Sequence, residues 1–315
     1  MTPGKGIEPA SWEVTAQAPA KLNLALEVVG KRPDGYHDLR TVFQAVDLSD
    51  RLRLRTRSAG VALRVRGEEP VPEGPENLVV RAARLLLERR APGRGVEILL
   101  EKTIPAGAGL GGGSSDAAAT LLGLERLWSL DPDPPERARL ALAIGSDVPF
   151  FLLGGTALGE GRGEILRPLP PPPELGWLLA VPDYRISTRA AFGALEPGLT
   201  TARQQVTILA DAIRSGDIRA FIDNLVNDLQ TGVVRIQPRL ARSKLELLSL
   251  GCMAVGLTGS GSALFGLFDS EGAVLDLLEN GFSERDSRGF RRSARLPGAA
   301  VVPCRPVAFG ARVVP

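Results

Sequence analysis

Histidine, cysteine, tyrosine and methionine are all scarce in this chain. Its 315 residues include 1 histidine, 2 cysteines, 2 tyrosines and 2 methionines, and aromatic residues make up 5%. Because His37 is far in sequence from Cys252 and Cys304, the pattern excludes a histidine–cysteine metal centre. A chain of this size needs no disulfide, so we interpret the cysteines as half-buried thiols in a reducing, cytoplasmic setting.

An excess of charge of one sign and long apolar runs are also missing. Lys and Arg number 38 against 36 Asp and Glu, which gives a net charge of +2 and no basic stripe of the kind that binds nucleic acid. No stretch approaches the roughly 20 apolar residues of a membrane-spanning helix. We therefore expect no nucleic-acid partner and no membrane partner. Separately, we expect a monomer or a weak homodimer, a state that charge and composition do not determine.

The chain does have enough apolar material for two hydrophobic cores. With 44% hydrophobic and 23% charged residues, it has the composition of a globular protein of about two domains. A proline run at residues 168–173 favours a stiff connector. We expect this connector to separate a domain of residues 1–168 from a domain of residues 174–315.

Period-two alternation predicts the strands. Residues 21–29 alternate, with Lys21 and Asn23 on the polar face and a turn signal following at residues 33–35. Further strands are predicted at 41–49, 51–57, 96–104, 151–164 (with a loop), 176–181, on both sides of a glycine turn within 253–268, and as a final pair at 299–304 and 310–315.

Helical periodicity and capping residues predict the helices. Asn77 is placed to cap a helix that ends at Pro92-Gly93. The helix at 116–130 is apolar on nearly all sides, so we expect it to be buried. The Arg-rich segment 284–295 is interpreted as a solvated, irregular loop. Further helices are predicted at 135–144, 203–214, 217–230, 238–250 and 271–279.

The strongest motif is the glycine-rich segment PAGAGLGGGSSD at residues 105–116. Five glycines within residues 107–113 let the backbone approach a ligand closely, because no Cβ intervenes. A strand precedes the segment and a helix follows it, beginning near residues 114–116, so free N–H groups and a helix dipole favour an anion such as phosphate. Ser114 and Ser115 add hydroxyl groups, and Ser115 is a candidate ligand for a phosphate-bound Mg²⁺.

Three other interpretations fit this loop less well than phosphate binding. A Walker A loop requires a lysine before its final Ser or Thr, and none is present. A dinucleotide-binding fingerprint requires an acidic residue at the end of a second strand ~20 residues on, where this chain has the proline-rich segment 131–136. A plain hinge or helix cap would explain two or three glycines, but not this density followed by Ser-Ser-Asp. Phosphate binding is therefore favoured.

Four smaller features carry little information when each is taken alone. Asp147, within GSDVPF, could cap a turn, and Lys21 could be a solvated residue of a strand. The Gly-Ser segment 256–263 could be a plain hairpin turn. Tyr36-His37 could be a hydrogen-bonded loop pair rather than catalytic residues.

In their order along the chain, these segments resemble one kinase superfamily. PAKLNL (19–24), PDGYH (33–37), the glycine loop, GSDVPF (145–150) and GSGS (259–262) resemble galactokinase, homoserine kinase, mevalonate kinase and phosphomevalonate kinase. The resemblance covers about residues 16–268. It implies an α+β fold of two domains, with an N-terminal mixed sheet with helices (a ribosomal-protein-like domain) and a C-terminal ferredoxin-like α/β sandwich. The active site would lie in the cleft between them.

The resemblance also implies the reaction. Within the superfamily the chain is similar to a branch that transfers the γ-phosphoryl group of ATP, with Mg²⁺, to a small-molecule alcohol carrying a cytidine diphosphate group. The acceptor would be the 2-hydroxyl of a methylerythritol linked to cytidine diphosphate, in non-mevalonate isoprenoid synthesis. Residues 1–168 would bind ATP, and residues 174–315 would lie on the substrate side.

The implied site residues fall into three groups. Asp147 would accept the substrate's hydroxyl proton, and Lys21 would stabilise the attacking oxygen. The residues implied to bind the ATP phosphates are Pro105, Ala106, Gly107, Ala108, Gly109, Leu110, Gly111, Gly112, Gly113, Ser114 and Ser115. Those implied to bind the substrate are Asn23, Tyr36, His37, Thr188, Phe192, Gly259, Ser260 and Gly261, with Tyr36 and Phe192 stacking on cytosine.

Two alternatives stay open at this point. One is a different kinase of the same superfamily, in which no Tyr-His pair is needed for cytosine. The other is a nucleotide-binding regulator or RNA-contacting module without chemistry. The near-neutral charge and the presence of both Lys21 and Asp147 favour an enzyme.

Overall fold

The computed structural model describes residues 12–195, 204–282 and 284–315. Within these residues the strands form two sheets, one of eight strands and one of six. The first sheet contains β1 (Val14–Lys31), β2 (His37–Arg57), β3 (Gly60–Arg66), β4 (Gly95–Glu101), β5 (Thr156–Gly161), β6 (Ile165–Leu169), β8 (Val226–Asn227) and β14 (Arg312–Val314). The second contains β7 (Gly176–Pro182), β9 (Ala254–Leu257), β10 (Leu264–Phe268), β11 (Glu284–Arg285), β12 (Arg291–Arg292) and β13 (Ala299–Cys304).

The first sheet is built around two long antiparallel strands, β1 and β2, in the order β14-β1-β2-β4-β3, with β5 and β6 joined to β2. The predicted strand at 21–29 is confirmed as the middle of β1. Its two faces are both buried, so the face that carries Lys21 and Asn23 is not solvated. The segments 41–49 and 51–57, predicted as two strands, form the single strand β2. Asp50, a charged residue in the middle of β2, does not end the strand. Its carboxylate accepts hydrogen bonds from the backbone N–H groups of Thr103 and Ile104 in the neighbouring loop.

Four helices of the described chain accompany the first sheet: α1 (Leu78–Arg90), α2 (Gly112–Leu127), α3 (Pro134–Ile144) and α4 (Val148–Leu153). The Asn77 cap of α1 is confirmed, since its side chain accepts a hydrogen bond from Val79 N. Helix α2 is buried as predicted, but it begins at Gly112, before the predicted start. Its charged Glu125 is buried because it pairs with Arg90 and Arg137. Helix α4 includes residues 151–153, the start of the segment 151–164 predicted as strand and loop.

The second sheet has the order β11-β12-β13-β7-β10-β9. The remaining helices of the described chain are α5 (Thr188–Gly193), α6 (Gln205–Ser215), α7 (Ile218–Asp223), α8 (Leu229–Ile236), α9 (Arg239–Ser249) and α10 (Glu271–Gly281). Helices α5, α8, α9 and α10 share a core with this sheet, whereas α6 and α7 belong to a core that contains residues of both sheets.

One helix prediction in this part of the chain is wrong. Val226 and Asn227 pair in parallel with Ala25 and Leu26 of β1 and so divide the predicted helix at 217–230. Residue 203, the first residue of the predicted helix at 203–214, lies outside the described residues.

Two expectations for the last part of the chain are wrong. The Arg-rich segment is not irregular, because β11 and β12 pair as an antiparallel hairpin. The last two strands are not paired with each other: β13 pairs with β7 and β12, whereas β14 pairs with β1. Strand β14, which comes after the proline connector in sequence, therefore pairs with a strand that comes before it. The two buried cysteines are free thiols, and burial raises the pKa of Cys252 to about 12.

Candidate active site

A cleft of about 1480 Å³ is lined by strands of the first sheet and, on its other side, by helix α5 and by loops that follow β7 and β9 of the second sheet. Its wall includes the polar face of β1, the glycine loop, the start of α4, helix α5 and the turn at 259–260. Small-molecule sites commonly have volumes of roughly 300–1,000 Å³, so this cleft has room for two ligands side by side.

The glycine loop forms one end of the cleft, and its geometry requires glycine. Gly107, Gly109 and Gly111 all have positive φ angles, of 67°, 84° and 70°. A Cβ on Gly109 would lie 2.5 Å from the carbonyl oxygen of Thr258, so the loop and the 258–263 turn pack backbone to backbone. Residues Pro105 to Ser114 line the cleft. The loop can therefore receive a phosphate chain closely, as the sequence predicts.

The two serines at the start of α2, Ser114 and Ser115, differ in their exposure. Ser114 is partly exposed and lines the cleft. Ser115 is 0% exposed, does not line the cleft, and its Oγ has no hydrogen-bond partner within the described part of the chain. The exposed hydroxyl at this helix start, beside the backbone N–H groups and the helix dipole, is therefore that of Ser114.

Lys21 and Asp147 meet in the middle of the cleft. Lys21 is 4% exposed; its ammonium group donates to Asn23 Oδ1 and lies 3.9 Å from Asp147 Oδ2. Burial lowers the pKa of Lys21 below its ordinary value, and the carboxylate of Asp147 opposes this shift. Asp147 directly precedes α4, yet its side chain makes no capping hydrogen bond. Its carboxylate is one-third exposed and lines the cleft, so it is available to a ligand.

Asn23 links this pair to the rest of the site. Its side-chain nitrogen donates to Thr41 Oγ1 at 2.8 Å, which fixes the amide so that its oxygen faces Lys21. Its backbone N–H donates to Thr258 Oγ1 at 3.0 Å. The position of Lys21 is therefore set by hydrogen bonds from both sheets.

The turn between β9 and β10 closes over the glycine loop. A Cβ on Gly259 would lie 2.9 Å from the carbonyl oxygen of Gly109 and 3.2 Å from Lys21 Nζ. Ser260 Oγ lies 3.0 Å from Thr188 Oγ1, the first residue of α5. Gly259, Ser260 and Thr188 line the cleft, whereas Gly261 lies behind it, against Gly109.

The opposite end of the cleft carries the scarce aromatic residues. His37 and Phe192 stack with ring centroids 5.0 Å apart and an interplanar angle of 23°. Tyr36 is 57% exposed, and the guanidinium group of Arg162 lies 4.8 Å from its ring centroid. Burial and the nearby charge of Lys31 lower the pKa of His37, which favours the neutral imidazole. The structure thus gathers Tyr36, His37 and Phe192, although it is His37 that faces the Phe192 ring.

A buried charge cluster that the sequence did not reveal supports the glycine loop. The ammonium group of Lys102 contacts the carboxylates of Asp50 and Asp116, and Asp50 Oδ1 accepts the backbone N–H of Ile104 at 2.9 Å. Burial lowers the pKa of Lys102, but the two carboxylates outweigh burial and raise it. Burial also raises the pKa of Asp116. The proximity of Lys102 and Asp116 to the loop in sequence was the available signal.

Residues 12–195, 204–282 and 284–315 contain no group of three or more His, Cys, Asp or Glu side chains that could hold a metal ion. The same ranges contain no helix long and apolar enough to cross a membrane.

Comparison with known proteins identifies matches over both halves of the chain. Residues 77–155 match the GHMP kinases N terminal domain, and residues 209–283 match the GHMP kinases C terminal region. The 4-diphosphocytidyl-2-C-methyl-D-erythritol kinase of Pelotomaculum thermopropionicum is 44% identical over 255 residues, 81% of this chain and 88% of the relative. The enzyme of the same name from Moorella thermoacetica is 45% identical over 258 residues, 81% of this chain and 90% of the relative.

Solved structures show the same likeness. A crystal structure of 4-(cytidine 5'-diphospho)-2C-methyl-D-erythritol kinase matches with a TM-score of 0.75 and 36% identity, over 92% of this chain and 98% of the other. A homoserine kinase from Cytophaga hutchinsonii matches with a TM-score of 0.76 and 18% identity, over 99% of this chain and 100% of the other. The second match shows a shared fold alone.

Proposed function

The chain belongs to the family of 4-diphosphocytidyl-2-C-methyl-D-erythritol kinases within the GHMP kinases, and we propose a role for each part of its cleft on that basis. It is an ATP-dependent kinase that phosphorylates the 2-hydroxyl of 4-diphosphocytidyl-2-C-methyl-D-erythritol in non-mevalonate isoprenoid precursor synthesis. One observation carries the assignment of residues. The Lys21–Asp147 pair lies in the same cleft as the glycine loop and the Tyr36–His37–Phe192 cluster.

The glycine-loop end is proposed to bind the nucleotide. ATP, when bound, supplies the phosphoryl group that is transferred. The backbone N–H groups of residues 107–113, which include the start of α2, can donate to phosphate oxygens, since the positive φ angles and missing Cβ atoms of the glycines leave them accessible. Beyond the loop the cleft continues to Val71, Pro72 and Leu78, which form an apolar end with room for the adenine.

Lys21 and Asp147 are proposed as the catalytic residues. Phosphoryl transfer needs mainly positioning and charge stabilisation, because charge is spread over the oxygens of a loose transition state. The buried ammonium group of Lys21 can stabilise the attacking oxygen and the transferred group. Because its side chain is already held by Asn23, it needs little movement when the reaction begins. The carboxylate of Asp147 can accept the proton of the substrate hydroxyl, late in the transfer. Asn23 accepts a hydrogen bond from Lys21 and so holds it in place. Asn23 also lines the cleft, and we propose that it contacts the substrate.

The aromatic end is proposed to bind cytosine. Tyr36 and Phe192 offer ring faces for stacking, and stacking of a base on an aromatic side chain contributes about 1–3 kcal/mol. The neutral imidazole favoured for His37 can hydrogen-bond the edge of the base. Thr188 lies on α5 with Phe192 and contacts Ser260, and Gly259 lies beside Lys21, so we assign the linking phosphates of the substrate to this part of the wall.

Three further features belong to this proposal. Mg²⁺ would be held by ATP phosphates, with the exposed hydroxyl of Ser114 better placed to assist than the buried hydroxyl of Ser115. The enzyme would act in the cytoplasm. It would be a monomer or a weak homodimer. Residues 1–168 would carry the nucleotide site together with Asn23, Tyr36 and His37 of the substrate site, and residues 174–315 would carry the rest of the substrate side.

Release of ADP with a panel of alcohols tests the function. The purified protein is incubated with ATP and Mg²⁺ and with the cytidylyl methylerythritol, mevalonate or homoserine as acceptor. We expect ADP release only with the cytidylyl compound, and none when Mg²⁺ is omitted. Turnover on mevalonate or homoserine, with none on the cytidylyl compound, would place the enzyme in another branch of the superfamily.

A further inference from the structure

Glu69 connects the glycine loop to the second sheet. It lies in the segment between β3 and α1, and its Oε2 accepts the backbone N–H of Ala106 at 3.2 Å. Its Oε1 accepts a hydrogen bond from Arg185 Nη2 at 2.7 Å and one from Arg288 Nη1 at 3.5 Å. Burial raises the pKa of Glu69, but these donors outweigh burial and lower it, so the carboxylate is charged. One side chain thus contacts the loop and two cations at once.

The first cation, Arg185, follows β7 and lies against the loop. Its Cδ would be 3.6 Å from a Cβ on Gly107, so the aliphatic part of the side chain packs over the loop backbone. Its guanidinium group also donates to the carbonyl oxygen of Pro182 at 3.1 Å. Arg185 does not line the cleft, and therefore supports the loop from outside.

The second cation, Arg288, projects from the turn of the β11–β12 hairpin. Asp286 accepts hydrogen bonds from the backbone N–H groups of Arg288 and Phe290, both at 2.9 Å, and from Arg288 Nη2 at 3.0 Å. Phe290 is buried in the core beneath, with the guanidinium group 5.0 Å from its ring centroid. The hairpin therefore presents Arg288 in a fixed orientation, and Arg288 also contacts Glu68 at 3.1 Å.

We infer that Glu69 is a positioning residue for nucleotide binding, held in place by Arg185 and Arg288. It fixes the first turn of the glycine loop through Ala106 N–H, and it ties the geometry of this loop to the Arg-rich hairpin of the other sheet. This inference rests on the proposed binding of ATP phosphates by the loop. Neither Glu69 nor Arg288 lines the cleft, so their loss changes nucleotide affinity and loop order rather than the chemical step.

The experiment compares Glu69→Ala, Glu69→Gln and Arg288→Ala with wild type. Arg292→Ala is the matched control, because it removes the same charge from an exposed position on the same hairpin. The readouts are kcat, the KM for ATP, the KM for the cytidylyl substrate, and hydrogen exchange of the loop amides without ligand. The melting temperature of each variant identifies any that fails to fold. If Glu69→Ala does not fold, Glu69→Gln, which preserves the volume of the side chain, takes its place in the comparison.

We expect Glu69→Ala to raise the KM for ATP about fivefold and Arg288→Ala about twofold, with kcat and the other KM changed less than about twofold. Glu69→Gln should fall between wild type and Glu69→Ala, because it keeps an acceptor for Ala106 N–H and loses the ion pairs. Loop amides should exchange faster in all three variants and not in Arg292→Ala.

Unchanged loop exchange and an unchanged KM for ATP in Glu69→Ala would overturn the inference. So would an equal rise in both KM values, which indicates general disruption. A wild-type protein that transfers no phosphoryl group would instead refute the proposed function, and the exchange data would still decide whether Glu69 orders the loop.

Discussion

Lys21 Nζ lies 3.9 Å from Asp147 Oδ2, with the lysine almost wholly buried and the aspartate one-third exposed. The separation is longer than a direct hydrogen bond, so each group keeps bonding capacity for a third partner. A hydroxyl group between them would meet a cation on one side and a proton acceptor on the other. The asymmetry in burial means that the carboxylate is the member of the pair that a substrate reaches first.

Asp147→Asn should separate proton acceptance from binding. We expect the rate of phosphoryl transfer in a single turnover to fall by roughly 10²–10⁴, the usual contribution of a general base. The KM for ATP should change little, because asparagine has nearly the size of aspartate and the N–H donors of the glycine loop are unchanged. Single-turnover rapid quench measures the first quantity directly. A wild-type rate in this variant, with both ligands bound, would show that Asp147 takes no part in the chemical step.

Lys21→Met should remove activity without weakening the fold. Because burial lowers the pKa of Lys21, the unfolded state binds more protons than the folded state between that lowered pKa and the ordinary value of 10.5. Wild-type stability should therefore rise with pH across this window, and the rise should be absent in Lys21→Met. At neutral pH we expect the free energy of unfolding to be unchanged or up to about 1 kcal/mol greater. Urea unfolding at several pH values checks this, and a clear loss of stability at neutral pH would contradict it.

Gly109→Ala and Gly113→Ala form a matched pair within the glycine loop. A Cβ at Gly109 meets a carbonyl oxygen at 2.5 Å on a backbone with φ of 84°, whereas at Gly113 the nearest atom is a Leu78 methyl at 3.7 Å. We expect Gly109→Ala to weaken ATP binding at least about tenfold, because the loop and the 258–263 turn must separate. Gly113→Ala should bind ATP nearly as wild type. Isothermal titration with a non-hydrolysable ATP analogue distinguishes them, and equal affinities would refute the packing argument.

Tyr36→Ala should affect one substrate only. Loss of a stacking face should raise the KM for the cytidylyl substrate about 5- to 150-fold, the equivalent of about 1–3 kcal/mol, and leave the KM for ATP unchanged. Tyr36→Phe keeps the ring and should stay within about threefold of wild type. Steady-state kinetics with each substrate varied in turn gives both constants. If Tyr36→Ala and wild type share one KM for the cytidylyl substrate, cytosine binds elsewhere.

The fold could be predicted where local pattern and tertiary context agree. Alternation located β1, and the Asn77 cap located α1, since both signals are local. The failures occur where a distant partner decides. The predicted helix at 217–230 is interrupted because two of its residues pair with β1, and the Arg-rich segment forms a hairpin whose Arg288 contacts Glu68 and Glu69. None of these partners is near in sequence.

The candidate site also has parts that local sequence predicts and parts that depend on distant residues. The glycine loop could be found from composition alone, because its conformation demands glycine at several neighbouring positions. Neither Lys21 nor Asp147 could be assigned from its own surroundings in sequence, since the pair is assembled from β1 and the start of α4. The support provided by Lys102 and by Glu69 was invisible for a related reason. A buried or bridging charge is recognised by its partners, and these come from other strands and from the other sheet.

The return of β14 to β1 has a consequence for the order in which the protein forms on the ribosome. Thr15 pairs with Val314, so the edge of the first sheet beside β1 stays open while the whole second sheet is synthesised. An open edge strand is a site for wrong pairing with other chains. The first sheet, although most of its strands are translated first, is therefore completed last, and early release of the nascent chain should leave that edge exposed to aggregation.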